Sequence, residues 1–372
     1  MNFKVSRVPL LNELLKVSRA VSSKSPVPTL TGIKIEAKDD TLYFTGSDSD
    51  ISIHSYLKKD EKVKLDIIEE GSIILGAKYI CEIVRKIEDE LITIEIVDGS
   101  LTRICGETSD FKINGFAAHD YPMIDFSKPE QSFNIKSDLL KLTISQTIFA
   151  TSDKETRPVL TGVNVKCDKN LIYFVATDSY RLAKKTIENT DNLSFAVTIP
   201  AKTLNEVSKT IEDKETLEMA VNDKKVQFVI GNTIIQSRLI EGAYPETSRL
   251  IPTSFDYELT VNSHDLLAAI DRASLMKNDG INIVKLSMSD EKVEISSKSQ
   301  EVGSANEILN EASFTGSRLD ISFSGKYACD AIRAISSDII KISFSGDMKP
   351  FIIKGLEEES CLQLILPVRT YN

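Results

Sequence analysis

Stretches with apolar residues at helical spacing alternate along this chain with stretches in which every second residue is apolar, and the order recurs three times. Each third opens with an amphipathic helix carrying a Leu-Leu pair, at Leu10-Leu11, Leu139-Leu140 and Leu266-Leu267. In the second, Leu139, Leu140, Leu142, Ile144, Ile148 and Phe149 largely follow the stripe of a 3.6-residue period. Ser137 and Ser263 stand where an N-cap is needed, since a serine oxygen accepts from the orphan N–H groups of a first turn.

Strand alternation follows each helix. Thr31-Gly32-Ile33-Lys34-Ile35 and Leu42-Tyr43-Phe44-Thr45-Gly46-Ser47-Asp48 flank a turn at Asp39-Asp40. Thr161-Gly162-Val163-Asn164-Val165 and Ile172-Tyr173-Phe174-Val175-Ala176-Thr177-Asp178 flank one at Lys169-Asn170. The third copy, 283–286 and 293–295, keeps the alternation without the Thr-Gly. Short Asp/Asn/Lys turns between alternating runs predict antiparallel pairing.

A second helix then carries the clearest repeat. Lys78, Lys202 and Lys326 stand at a constant spacing of 124 residues (202 − 78 and 326 − 202), and Arg85, Lys209 and Arg333 follow each of them seven residues later. Seven residues is nearly two turns, so each pair of cations shares a helix face. A period of this length is that of a domain rather than of a solenoid repeat. Tyr-Pro turns at Tyr121-Pro122 and Tyr244-Pro245 and Pro/Ser/Thr-rich interruptions at 126–131 and 252–256 divide the chain into 1–126, 127–252 and 253–372. The predicted fold class is α+β: three tandem copies of a domain in which two helices pack on antiparallel sheets.

Composition narrows the class. The 372 residues are 41% apolar and 27% charged, as in soluble globular proteins, and no apolar run approaches a bilayer span. The start, Met1-Asn2-Phe3-Lys4-Val5, lacks a secretory apolar core. Cys81, Cys105, Cys167, Cys329 and Cys361 form no CxxC pair and are odd in number, which points to small buried hydrophobes in a reducing cytoplasm. The net charge of −10 does not exclude nucleic acid, because binding depends on where the cations sit.

Catalytic chemistry is thinly represented. His54, His119 and His264 fall at unrelated positions of the three repeats and read as surface or turn residues. HExxH, Walker, GxGxxG and GxSxG patterns are missing, so no catalytic residue, metal or cofactor is expected. Ser-Asp-Ser at 47–49 and Thr-Asp-Ser at 177–179 fit Asx-type turns at strand ends. A binding protein is the natural reading. The basic faces allow two explanations: Glu82, Glu206 and Asp330 lie four residues after the three lysines, so an intrahelical ion-pair ladder worth ~0.2–0.5 kcal/mol per pair is one. The other is a phosphate-contacting surface without base readout, to which Lys16 and Arg19 add, and threefold repetition favours it. Interleaved basic and aromatic tracts are missing, which disfavours a single-strand reader.

Four ordered motifs carry a resemblance. Arg157-Pro158-Val159-Leu160-Thr161-Gly162-Val163-Asn164, Ala176-Thr177-Asp178-Ser179-Tyr180-Arg181-Leu182-Ala183, Tyr244-Pro245-Glu246-Thr247-Ser248-Arg249-Leu250-Ile251-Pro252 and Leu364-Ile365-Leu366-Pro367-Val368-Arg369-Thr370 resemble the bacterial DNA polymerase III beta subunits, the sliding clamps, most of all those of Gram-positive bacteria. The resemblance runs end to end. It implies two three-domain subunits closed head to tail into a ring whose helices line a hole for duplex DNA, tethering the polymerase without catalysis. It also implies a pocket between the second and third domains for a short peptide of the polymerase, the clamp loader and other clamp-motif proteins.

Matching positions for that pocket are Leu160, Thr177, Ser179, Tyr180, Arg181 and Leu182, then Pro245, Arg249 and Leu250, then Met348 and Pro350, and finally Leu364, Ile365, Leu366, Pro367, Val368 and Arg369. The apolar members suit Leu or Phe anchors, and Arg181, Arg249 and Arg369 suit carbonyls or acids at the rim. Many relatives carry His where Tyr180 stands, so the longer ring predicts a narrower mouth. For duplex DNA the resemblance implies Lys24, Lys154 and Arg157 in loops and Arg85, Lys202 and Lys209 on helices. For the homodimer it implies Phe111 and Ile113 on a first-domain edge strand against Leu275 and Met276 on a third-domain helix. Two alternatives stay open: a peptide-binding scaffold that never meets DNA, and a hydrolase using Asp178 and Ser179.

Overall fold

The computed structural model describes residues 1–212, 216–277 and 282–369. Among them are six α-helices: α1 Arg7–Ser18, α2 Ala77–Lys86, α3 Ser137–Thr147, α4 Ala201–Thr210, α5 Ser263–Ala273 and α6 Gly325–Arg333. Helices α2, α4 and α6 each begin one residue before the repeated lysine, so the 124-residue period of the sequence is also the period of the structure. Their inner stripes are apolar, as Ala77, Ile80, Cys81 and Val84 in α2 and Ala328, Cys329 and Ile332 in α6 show. No helix among the described residues is long and apolar enough to cross a membrane.

The capping expectation needs correction. Asn262, not Ser263, caps α5, its side-chain oxygen accepting from the N–H groups of His264 and Asp265 at 2.9 and 3.2 Å. Ser137 is the first residue of α3, and its buried Oγ makes no hydrogen bond. In both cases the helix starts one residue earlier than the serine could cap.

The chain forms two compact units. The first comprises 1–140 with 205–239 and the second 141–204 with 240–372. The first unit holds a five-stranded sheet, in the order 66–69, 2–6, 91–98, 101–105, 110–114, and a nine-stranded one. The nine-stranded sheet runs Phe116–Ala117, Gly71–Gly76, Gly32–Lys38, Thr41–Ser47, Ile51–Lys58, Thr233–Arg238, Lys225–Ile230, Thr216–Val221 and Gln131–Lys136. The second unit holds a seven-stranded sheet in the order Gly162–Thr177, Arg181–Pro200, Cys361–Ile365, Phe351–Gly355, Ile339–Phe344, Tyr257–Asn262, Ala312–Thr315, and a four-stranded one ordered 303–309, 293–299, 283–288, 319–324. The two units share the stretch 127–252 because strand pairing ties its parts to different neighbours: Thr233–Arg238 to Ile51–Lys58, and Arg181–Pro200 to Cys361–Ile365.

The first hairpin turns as predicted, with Asp39 and Asp40 at φ +48° and +56°. The second is a different object: Gly162–Thr177 is one sixteen-residue strand whose register with Arg181–Pro200 shifts across Lys169 and Leu171, Lys169 taking φ +58°. The repeated Thr-Gly has a steric cause. A Cβ on Gly162 would lie 2.5 Å from the Ile199 carbonyl oxygen, and one on Gly32 2.9 Å from that of Leu75.

Four cysteines are buried and Cys105 is half-exposed, and all five are free thiols. Burial pushes the thiols of Cys81 and Cys329 up to about 11 and that of Cys361 up to about 12. At pH 8 that leaves roughly a thousandth or less of each as thiolate, the form that alkylates. Iodoacetamide is therefore expected to label Cys105 in the native protein and to reach these three only on unfolding. Rapid native labelling of all four, read by intact mass, would contradict the packing.

Candidate functional site

Where Arg181–Pro200 meets Cys361–Ile365, Leu182 pairs with Leu364, and Leu364 in turn pairs with Ile352 on the next strand. These three and Val175 form a buried apolar cluster, and Tyr173, Tyr244, Ile251, Phe255, Leu362 and Leu366 pack half-buried around it. Alternation puts them on one face of the sheet. The Tyr244 hydroxyl oxygen accepts from the Thr177 N–H at 3.1 Å, and burial holds its phenol well above the ordinary tyrosine range. At the border, Lys184 Nζ stands 4.9 Å from the Tyr173 ring centre, and burial with the nearby Lys354 pulls its pKa down.

Other expected residues fall around this face. Tyr180, Leu250 and Met348 are large apolar or aromatic groups left exposed. Pro245, Pro350, Pro367 and Val368 are half-buried, Arg249 and Arg369 exposed, and Leu160 buried in the turn Pro158–Thr161. The main chain of Leu366 donates to the Tyr180 carbonyl at 3.0 Å, which seats the C-terminal segment beside the loop 177–181.

Two expected members point elsewhere. Ile365 belongs to the core cluster with Phe344 and Phe351, because alternation sends it to the opposite face from Leu364. Arg181 is also turned away, its side chain only 10% exposed. Its guanidinium donates to Asp178 Oδ2 at 3.0 Å, Asp330 Oδ2 at 2.7 Å and the Phe149 carbonyl at 2.5 Å, and lies 4.5 Å from the Tyr327 ring centre. It is a structural hub rather than a rim cation. Conversely, Tyr173, Val175 and Ile352 lie on the face outside the expected set; two-residue alternation back from Thr177 marks the first two, whereas Ile352 is placed only by long-range register.

The loop before Arg181 is tightly made. Thr177 Oγ1 donates to the Arg181 carbonyl at 2.6 Å, Asp178 Oδ1 accepts from the N–H groups of Tyr180 and Arg181, and Ser179 takes φ +80°. Arg157 Nη1 donates to Ser179 Oγ at 3.1 Å, bringing together a residue expected at DNA and one expected at a peptide. Asp178 is engaged by Arg181 and backbone amides, and no described residue acts as a base on Ser179, so the dyad lacks the arrangement that activates a serine. Among the described residues no group of three His, Cys, Asp or Glu is placed to hold a metal ion.

On the cationic helices Lys78, Arg85, Lys202, Lys209, Lys326 and Arg333 are all exposed, as are the loop residues Lys24 and Lys154. The acids pair differently from the ladder drawn from sequence. Glu82 reaches Arg85, Glu206 reaches Lys209 at 2.9 Å and Asp330 reaches Arg333 at 3.9 Å, each three residues on. Lys78 and Lys326 make no ion pair among the described residues. The cations of these pairs are about half exposed even where, as at Glu206, the acid is buried, so they remain available to an anion. His54 is no turn residue: it is half-buried on a strand, Nδ1 lies 3.0 Å from Thr45 Oγ1, and burial lowers its pKa.

Phe111 and Ile113 lie on Asp110–Asn114, the edge strand of the five-stranded sheet. Leu275 and Met276 lie just past the end of α5 in the turn that follows, not on the helix, and Leu275 is 68% exposed.

Comparison with known proteins matches every third. Residues 1–125, 134–246 and 248–369 match the N-terminal, central and C-terminal domains of the DNA polymerase III beta subunit. The chain is 42% identical to the beta sliding clamp of Bacillus subtilis and 38% identical to that of Staphylococcus aureus, in each case over the full length of both. The crystal structure of the Bacillus subtilis DNA polymerase sliding clamp superposes with a TM-score of 0.96 at 41% identity, and that of the Streptococcus pyogenes DNA polymerase beta subunit with 0.94 at 32%, both covering all of each chain.

Proposed function

We infer what this chain does from the family to which it belongs, the DNA polymerase III beta subunits or beta sliding clamps. It is a processivity factor of DNA replication, built of three tandem clamp domains, and it works with duplex DNA and the replicative polymerase. It catalyses nothing itself and acts in the cytoplasm. Domain boundaries fall near 126 and 252. Two chains close head to tail into a ring, and the strand edges at Asp110–Asn114 and Gly303–Leu309, each paired on one side only within its sheet, meet across the boundary. Phe111 and Ile113 pack there against Leu275 and Met276.

The helices carrying Lys78/Arg85, Lys202/Lys209 and Lys326/Arg333 face the DNA. Their cations, with Lys24, Lys154 and Arg157, contact phosphates and read no bases, so the protein slides. The observation that carries the partner reading is the apolar face of Leu182, Leu364 and Ile352, fringed by exposed Tyr180, Leu250 and Met348. It takes the Leu or Phe anchors of a linear peptide from the polymerase, the clamp loader or another partner, while Arg249 and Arg369 hold its carbonyls or acids.

Leu366→Ala with Arg369→Ala removes a half-buried wall of that face and an exposed cation beside it. The doubly substituted protein is expected to remain dimeric and to lose polymerase stimulation. Unchanged primer extension in its presence would overturn the partner site.

A further inference from the structure

The apolar face of the second unit has a counterpart in the first, and the two backbones are copies. Ser52 pairs with Gln236 as Leu182 pairs with Leu364, and Gln227 pairs with Gln236 as Ile352 pairs with Leu364. Ser47 faces Ser52 across the hairpin as Thr177 faces Leu182. The loops leading in match atom for atom. Ser49 takes φ +84° and Ser179 +80°. The Ser49 N–H donates to Ser47 Oγ, and the Ser179 N–H to Thr177 Oγ1, both at 3.1 Å. The Ile51 N–H donates to Asp48 Oδ1 at 2.9 Å and the Arg181 N–H to Asp178 Oδ1 at 3.0 Å.

The side chains on this shared frame are not copies. Leu182, Ile352 and Leu364 become Ser52, Gln227 and Gln236, and two residues along their strands Pro350 and Leu366 become Lys225 and Arg238. The polar floor is also used internally. Gln227 Nε2 donates to the Phe126 carbonyl at 3.0 Å, and Lys225 Nζ donates to the carbonyl of Asp125 at 2.9 Å and to its carboxylate at 3.2 Å. The segment after Tyr121 is thereby tied to the face, beside a depression of about 350 Å³ bordered by Ile124, Ser52 and Gln236. An apolar anchor pressed onto this floor would strip water from the half-buried Gln236 amide and displace the segment bonded to Gln227 and Lys225, without offering partners in return.

We propose that the face around Ser52, Gln227 and Gln236 is a silenced duplicate of the partner-binding face, closed to apolar peptides by its polar floor and by the hydrogen bonds that tie Asp125 and Phe126 to it. Each chain therefore holds one partner peptide although its fold builds two frames for one. This rests on the reading of the Leu182–Leu364 face as the partner site, and it adds which residues set the number of partners per chain.

The test is titration of the full-length protein with a fluorescent peptide carrying Leu and Phe anchors, alongside a photo-crosslinking version of the same peptide. The native chain is expected to bind one peptide and to cross-link only near Leu182, Leu364 and Leu366. Ser52→Leu, Gln227→Ile, Gln236→Leu and Lys225→Ala together are expected to add a second peptide per chain, bound within about tenfold of the first. Two peptides on the native chain, or native cross-links at 52, 227 or 236, would overturn the proposal; the native arm needs no altered protein to fold. A variant with native-like circular dichroism and melting that still binds one peptide would overturn it too. No binding by the native chain would instead defeat the partner-face reading, and this inference with it.

Discussion

Arg181→Ala is expected to destabilise the unit of 141–204 and 240–372 by about 3–5 kcal/mol, the usual loss when one member of a buried charge network is removed. The guanidinium donates to Asp178, Asp330 and the Phe149 carbonyl, and it lies near the Tyr327 and Phe149 rings. Alanine leaves Asp178 without a cation, Asp330 with only the long contact to Arg333, and a carbonyl without its donor. Lysine keeps the charge but lacks the planar fork, so Arg181→Lys is expected to recover only part of the loss. Urea unfolding reports the difference. A loss below about 1 kcal/mol, the size of an exposed pair, would show that the network does not hold this loop to α6.

Leu275→Ala with Met276→Ala is expected to convert the dimer to monomers. Both residues sit in a turn secured by hydrogen bonds from the Leu275 and Met276 N–H groups to Arg272 and Ala273 carbonyls, so truncation removes apolar contact without unpicking the local backbone. Leu275 is 68% exposed in the single chain and Phe111 39%, apolar groups that a partner would cover. Sedimentation should give the mass of one chain and an unchanged melting temperature at low concentration. A dimer mass would remove these residues from the interface.

Much of the fold follows from local pattern. The starts of α2, α4 and α6, the alternating strands and the left-handed Asp39-Asp40 turn are consequences of short-range periodicity and turn chemistry. What the sequence hides is pairing between distant strands. Only the register of Arg181–Pro200 against Cys361–Ile365 shows that Leu364 faces Leu182 while Ile365 joins the core, and that Arg181 turns toward Asp330, 149 residues away. The acids of the basic helices illustrate a subtler limit. Both the preceding lysine and the following cation lie within reach of Glu82, Glu206 and Asp330, and spacing alone does not choose between i−4 and i+3 partners. Asn262 prevails over Ser263 for a similar reason, since a one-residue shift of the helix start changes which side chain meets the free N–H groups.

The duplicated loops at 47–51 and 177–181 share one frame. Their backbone hydrogen bonds are the same, so the difference between an apolar face and a polar one lies in a handful of side chains on the adjoining strands.

Retention on circular DNA tests the central claim most directly. Labelled protein, loaded onto nicked circular duplex by its clamp loader and passed over a sizing column in high salt, should elute with the circles and be released when a single cut makes them linear. Loss from circles and linear molecules alike, or equal retention on both, would contradict a closed ring that holds DNA by encirclement.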